Sequence, residues 1–164
     1  MVQKADKKPK ALVLGVGAER GIGGGVSKLF AKNGHHVLVA GRTADKIGKV
    51  VEAIGRSGGS ASPVTVDGTK EDEVIRLFDK AMADDADGTP ADLFVFNMGN
   101  NAAVDFREMT AQHFEDSWRV GCFAGFLFGR EAMRRLAPLG RGTVIFTGAS
   151  GSMRGRPRFA AFNA

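Results

Sequence analysis

The stretch GVGAERGIGGG, residues 15 to 25, holds the first residues with a clear chemical use. Gly17, Gly21 and Gly23 are spaced Gly-x-x-x-Gly-x-Gly, between the apolar run ALVLGVG and the helical pattern GGVSKLFAKNG. Small residues at such a turn let backbone N–H groups and the positive end of a helix approach an anion, and a pyrophosphate is the natural occupant. The commoner spacing Gly-x-Gly-x-x-Gly fails, because laid on Gly15 and Gly17 it meets Arg20. A tight structural turn would use glycine as well, so the placement directly after a strand is what favours a phosphate site.

Groups able to carry a proton are scarce. The sequence has no tyrosine and a single cysteine, Cys122. His113 opens a helical pattern and reads as a surface or capping residue, while His35 and His36 precede a strand at the end away from the glycine turn. Ser150 is a weak candidate for touching a substrate, since loop hydroxyls are more often solvated. Arg154 and Arg156 would suit an acidic substrate, although exposed loop arginines are common. No metal-ligand spacing is present, and one cysteine permits neither an internal disulfide nor a cysteine-based zinc cluster.

The elements that must position these residues alternate. HVLVAG, SPVTVD, DLFVFNMG and GTVIFTGAS read as buried strands after the first one. Helical patterns lie between them, beginning at Thr43, near Thr69 with Asp72 as a possible capping box, and from about Thr110 to Leu136. Gly34 is a natural stop for the first helix. Continuous apolar strands alternating with amphipathic helices predict a doubly wound α/β fold, a Rossmann-type parallel sheet with helices on both faces. Ligands then bind beyond the carboxyl ends of the strands, which directs attention to the turns after Val16, Ala40, Val66, Phe96 and Thr147.

On these residues the chain resembles the short-chain dehydrogenase/reductase family, whose glycine motif is Thr-Gly-x-x-x-Gly-x-Gly. Val16 stands at the family's threonine, and Gly17, Gly21, Ile22 and Gly23 match the rest. Asp67 matches an aspartate that touches the adenine in that family, with Gly68 in place of its usual apolar neighbour. FNMG is similar to the family's Asn-Asn-Ala-Gly and keeps Asn97 and Gly99. The resemblance covers nearly the whole chain after the first ten residues, and it implies a nicotinamide dinucleotide and hydride transfer to or from a carbonyl or alcohol carbon.

A carboxylate at the end of strand two would bond the ribose 2′-hydroxyl of NAD and repel the 2′-phosphate of NADP. Here the strand ends in Gly41, Arg42 and Thr43, and no acid follows until Asp45. Arg42 offers a planar donor fork to a phosphate, and Arg20 holds a place where NADP-preferring relatives often carry a basic residue. NADP(H) is therefore expected over NAD(H).

The family's proton-transfer set is not matched. Phe162 falls at its tyrosine, Ala149 at its serine and Gly121 at its asparagine, the last inside SWRVGCFAG; its lysine would follow Ala164. Two readings follow: an NADP(H)-dependent oxidoreductase with a rearranged site, or a non-catalytic NADP(H)-binding sensor or assembly subunit. Restoring Tyr and Ser at Phe162 and Ala149 separates them.

Length and composition frame these readings. A chain of 164 residues with 43% hydrophobic and 25% charged residues suits one folded domain. Residues 1–10 read as a flexible basic leader and 11–164 as the dinucleotide-binding domain, expected to be the front part of a longer polypeptide. The net charge of +5 comes without aromatic-interleaved basic stripes, so nucleic acid is not expected as a partner. No apolar run spans a membrane and no secretory pattern follows the start, so a cytoplasmic address is expected. Phe114, Trp118, Cys122 and Phe126 recur at four-residue spacing and read as core or as the face of a homo-oligomer along the helix of residues 110–136.

Overall fold

The computed structural model describes residues 7–164. Five strands, β1 (Pro9–Leu14), β2 (His36–Gly41), β3 (Ser60–Thr65), β4 (Thr89–Phe96) and β5 (Thr143–Phe146), form one parallel sheet in the order β3-β2-β1-β4-β5. The doubly wound α/β architecture expected from the alternating pattern is present. Strand β1 opens at Pro9, inside the segment read as leader, and Lys10 is fully buried, its ammonium donating to the carbonyls of Lys80 and Ala83 and facing Asp85 at 2.8 Å. Residues 1–6 of that leader lie outside the described residues.

The inner strands β1, β2 and β4 are mostly apolar because both their faces are covered, whereas the outer strands β3 and β5 are only partly buried. Leu12, Leu14, Leu38, Phe94 and Phe96 point to one face, where they meet α3 (Glu71–Met82) and α5 (Ala124–Leu136). Ala11, Val13, Val37, Val39 and Val95 point to the other, against α1 (Ile22–Lys32) and α2 (Ala44–Arg56). Phe78, Phe94 and Phe128 close the first face, with Phe78 stacked on Phe94 at 5.0 Å and Phe128 edge-on to Phe78 at 5.0 Å. Glu131 is buried in the same layer among Arg130, Arg134 and Arg135, and Arg135 also pairs with Asp79, which ties α5 to α3. Burial alone would push the Glu131 carboxyl up; hydrogen bonds from Arg135 and Arg130 outweigh it and leave the group below its ordinary range.

Helix boundaries follow local chemistry, with corrections. Gly34, at φ +96°, stops α1 as expected. Thr43 precedes α2 at its cap position without a side-chain bond. The Thr69 and Asp72 box does not form: Lys70 caps α3 in position only, and the Thr69 hydroxyl instead donates to Asp67. The long helix is continuous in course but not in type, since α4 (Ala111–Trp118) passes through a π-helical turn, Arg119–Phe123, into α5. Thr110 caps α4 by accepting from the His113 N–H. Short helices α6 (Gly151–Arg154) and α7 (Ala160–Asn163) follow β5.

Phe114, Trp118, Cys122 and Phe126 do not enter the core: all are exposed, the aromatic rings by 42% to 56%. Edge strand β5 likewise leaves Ile145 and Phe146 part-exposed. No helix among the described residues is long and apolar enough to cross a membrane.

Candidate functional site

Strand order reverses direction of winding at β1, with β2 and β3 on one side and β4 and β5 on the other, and a crevice opens beyond the carboxyl ends there. Its floor is built by short backbone bonds. Gly15 and Val16 donate to the Ala40 carbonyl, while Asn97 donates its backbone N–H to Leu14 and its side-chain amide to the Gly15 carbonyl. The Thr147 hydroxyl donates to the Asn97 side-chain oxygen at 3.0 Å, so the turns after β1, β4 and β5 are locked together. Gly15 is required in this arrangement: its φ is +93°, and a Cβ there would lie 2.5 Å from the Asn97 carbonyl carbon.

Two cavities share walls at Gly15, Gly17, Asn97, Met98 and Gly99. The larger, about 1050 Å³, gathers Gly17, Gly21, Ile22 and Gly23 from the glycine turn and Gly121 from the π-helical turn. It also takes in Ala149, Ser150 and Phe162. The positions singled out as matching the proton-transfer set thus line one cleft. The smaller, about 190 Å³, lies beyond β2 and is lined by Gly41, Arg42, Thr43 and Lys46. A third hollow of about 390 Å³ runs from Arg42 and Thr69 to Asp116 and Arg119.

Two expected members are not brought in. Arg20 is exposed and lines neither of the first two cavities, and the second cation lining the smaller one beside Arg42 is Lys46. Asp67 is turned into its own loop, accepting from the backbone N–H and hydroxyl of Thr69 at 3.0 and 2.8 Å. Burial pushes its carboxyl up, but the Thr69 bonds and the positive charges of Arg42 and Lys70 hold it below the ordinary value. Arg42 therefore already feels one carboxylate.

Other contributors were not legible. Lys46 sits in the first turn of α2, one helical turn past Arg42, and only the packing of that turn on the strand end reveals it. Asn100, Asn101 and Ser117 line the large cleft, with the Ser117 hydroxyl donating to the His113 carbonyl. Met98 fills the space beside Gly68: a Cβ on Gly68 would lie 2.4 Å from its sulfur. The His113 ring is not a free surface group, since its Nε2 is buried without a partner. His36 stays at the opposite end of β2, between Ser60 and Ser62.

A dinucleotide fits the turn. Gly17 borders both cavities, its φ is not positive, and a Cβ there would meet nothing within 4 Å, so the absent side chain is not demanded by the protein's own packing. The residues able to hold the cofactor are those of the turn, Gly17 to Gly23, with Arg42, Thr43 and Lys46 at the far end and Asn97 and Gly99 between.

The comparisons agree with this geometry. The family profile described as short chain dehydrogenase matches residues 11–164. A gluconate 5-dehydrogenase of Gluconobacter oxydans (strain 621H) is 29% identical over 94% of this chain and 59% of its own length. A hydroxynaphthalene reductase-like protein Arp2 of Metarhizium acridum (strain CQMa 102) is 31% identical over 93% of this chain and 55% of its own. The chain thus spans less than two thirds of these curated relatives. Among solved structures, a short-chain dehydrogenase from Rhodopseudomonas palustris superimposes with a TM-score of 0.85 at 34% identity, covering 94% of this chain and 70% of that one.

Proposed function

The chain belongs to the short-chain dehydrogenase family, an oxidoreductase family that uses nicotinamide dinucleotides, and we propose that it binds NADP(H) and acts on a carbonyl or alcohol through a non-standard site. The observation that carries the cofactor preference is the cavity beyond β2. It presents Arg42, Thr43 and Lys46, while the one carboxylate near Arg42, Asp67, is held by Thr69. A 2′-phosphate there gains two cations, whereas a ribose 2′-hydroxyl finds no lined-up carboxylate to accept from it.

Bound in the crevice, the nicotinamide would supply or take the hydride. The chain's own part is binding, orientation and polarisation. Among the residues lining the large cleft the only charged side chains are Arg154 and Arg156, whose guanidinium groups offer donors and no acceptor. The carbonyl oxygen is therefore oriented by neutral donors, with the Asn100 amide and the Ser150 hydroxyl in the cleft wall, and its proton comes from solvent in this open cleft; the Ser117 hydroxyl is engaged with the His113 carbonyl. The Ser152 hydroxyl, though nearby, is engaged with the Ala149 carbonyl.

The second reading, a non-catalytic NADP(H)-binding protein, is favoured by the same cleft: Phe162, Ala149 and Gly121 offer nothing titratable. Both readings share the nucleotide site. The exposed stripe of Phe114, Trp118 and Phe126 along α4 and α5 supports a second copy packing on that helix, and a cytoplasmic setting suits the lone Cys122.

Calorimetric titration with NADPH and NADH tests the proposal. NADPH should bind at least about tenfold more tightly. Arg42→Ala should weaken NADPH by about 1 to 2 kcal/mol, the lower part of the range for a charged hydrogen bond because Arg42 is exposed, and leave NADH unchanged. Equal losses for the two nucleotides would reject the preference.

A further inference from the structure

We propose that the large cleft takes an organic anion with an apolar body, a carboxylate being the simplest case, and that Arg154 and Arg156 bind its charged group. This names a substrate class for the reading above and rests on it.

The cleft's composition carries the inference. Its lining holds no aspartate, glutamate, lysine or histidine; the only charged side chains are Arg154 and Arg156. Neither makes an ion pair among the described residues, whereas Arg107, Arg119, Arg130, Arg134 and Arg135 do. The charge of this wall is thus uncompensated by the protein. Phe96, Phe146, Phe159 and Phe162 line the same cleft, which gives an apolar body somewhere to lie. The Arg156 guanidinium sits 4.5 Å from the Phe159 ring centroid, a stacking that orients its planar donor fork.

The backbone that presents the two arginines is held in an uncommon shape. Gly155 has φ +64°, Pro157 restrains Arg156 before it, and Arg158 is the one non-glycine residue with positive φ among those described, at 67°. The Arg158 carbonyl accepts from the Val104 N–H at 2.8 Å, which anchors this strained turn to the loop after β4.

Topology separates this pair from the cofactor's 2′-phosphate. Arg154 and Arg156 follow β5 at one edge of the sheet, and Arg42 follows β2 on the other side of β1. The charged end of the substrate and the 2′-phosphate therefore have different partners.

The test is equilibrium binding to the full chain, with and without saturating NADPH. The probes are benzoate, hexanoate and 4-acetylbenzoate, with 4-acetylbenzamide as the neutral isostere of the last. The carboxylate should bind at least about tenfold more tightly than the amide. The Arg154→Ala/Arg156→Ala double variant should abolish that difference and leave NADPH affinity within about twofold. Arg154→Lys/Arg156→Lys should restore part of it, which separates lost charge from a misfolded loop. Equal binding of acid and amide, a preference that survives in the double variant, or no carboxylate binding at about 10 mM would each overturn the assignment. Displacement of the carboxylate by NADPH, with loss of NADPH affinity in the double variant, would overturn it by giving the arginines to the cofactor. Failure of NADPH to bind wild type, with the acid preference intact, would instead refute the cofactor reading alone.

Discussion

Alanine at Gly15 and at Gly17 should have opposite consequences, although the two positions are a residue apart in one turn. A methyl group at Gly15 would be driven to 2.5–2.6 Å from Asn97 and Met98 backbone atoms, in a residue whose φ is +93°. Left-handed strain contributes about 1 to 2 kcal/mol, and overpacking against backbone that cannot yield adds about 1 to 3. A total near 3 kcal/mol lowers Tm by about 6 to 12 °C for a chain of this size. At Gly17 the methyl group meets nothing within 4 Å and the backbone is unstrained. Gly17→Ala should therefore leave Tm within about 2 °C of wild type, or raise it slightly by restricting the unfolded chain. The added carbon instead occupies space bordering both cavities, and NADPH affinity should fall by about tenfold or more. Thermal denaturation and calorimetry on the two variants decide the matter. Full NADPH affinity in Gly17→Ala would show that the turn does not cradle a pyrophosphate, and an unchanged Tm in Gly15→Ala would refute the geometry of the turn.

Three further outcomes follow from particular contacts. Gly68→Ala should cost about 1 to 2 kcal/mol because its Cβ meets the Met98 sulfur, and the penalty should fall in a Met98→Ala background to what the 3.2 Å approach to Leu14 Cδ2 leaves; a coupling below about 0.5 kcal/mol in the double-mutant cycle would contradict this. Glu131 is held ionised by Arg135 and Arg130, so its folded pKa lies below the unfolded one. The stability it provides is present above the unfolded value and is lost as pH falls through the folded one; Glu131→Gln should remove about 1.5 to 3 kcal/mol at pH 7 and less in acid, as urea denaturation at several pH values would show. Phe162→Tyr with Ala149→Ser should raise carbonyl reduction if the nucleotide site is already productive, and should introduce a pH dependence that the parent cleft lacks; no gain in rate would favour the non-catalytic reading.

Hydrophobic period, glycine placement and strand-helix alternation are local properties, and they specify the doubly wound sheet and the glycine turn. The four-residue recurrence of Phe114, Trp118 and Phe126 is equally local, but period alone cannot say whether a face meets the core or solvent. Burial put these rings outside. The same limit explains Arg20, Asp67 and Thr69. Spacing placed Arg20 and Asp67 at the cofactor site and made Thr69 a helix cap, whereas in the structure Arg20 is exposed and Asp67 is closed onto Thr69. Met98 beside Gly68, and the gathering of Gly17, Asn97 and Thr147 in one cleft, depend on which strand ends lie side by side. That order is set by packing between residues tens of positions apart, to which no short window of sequence has access.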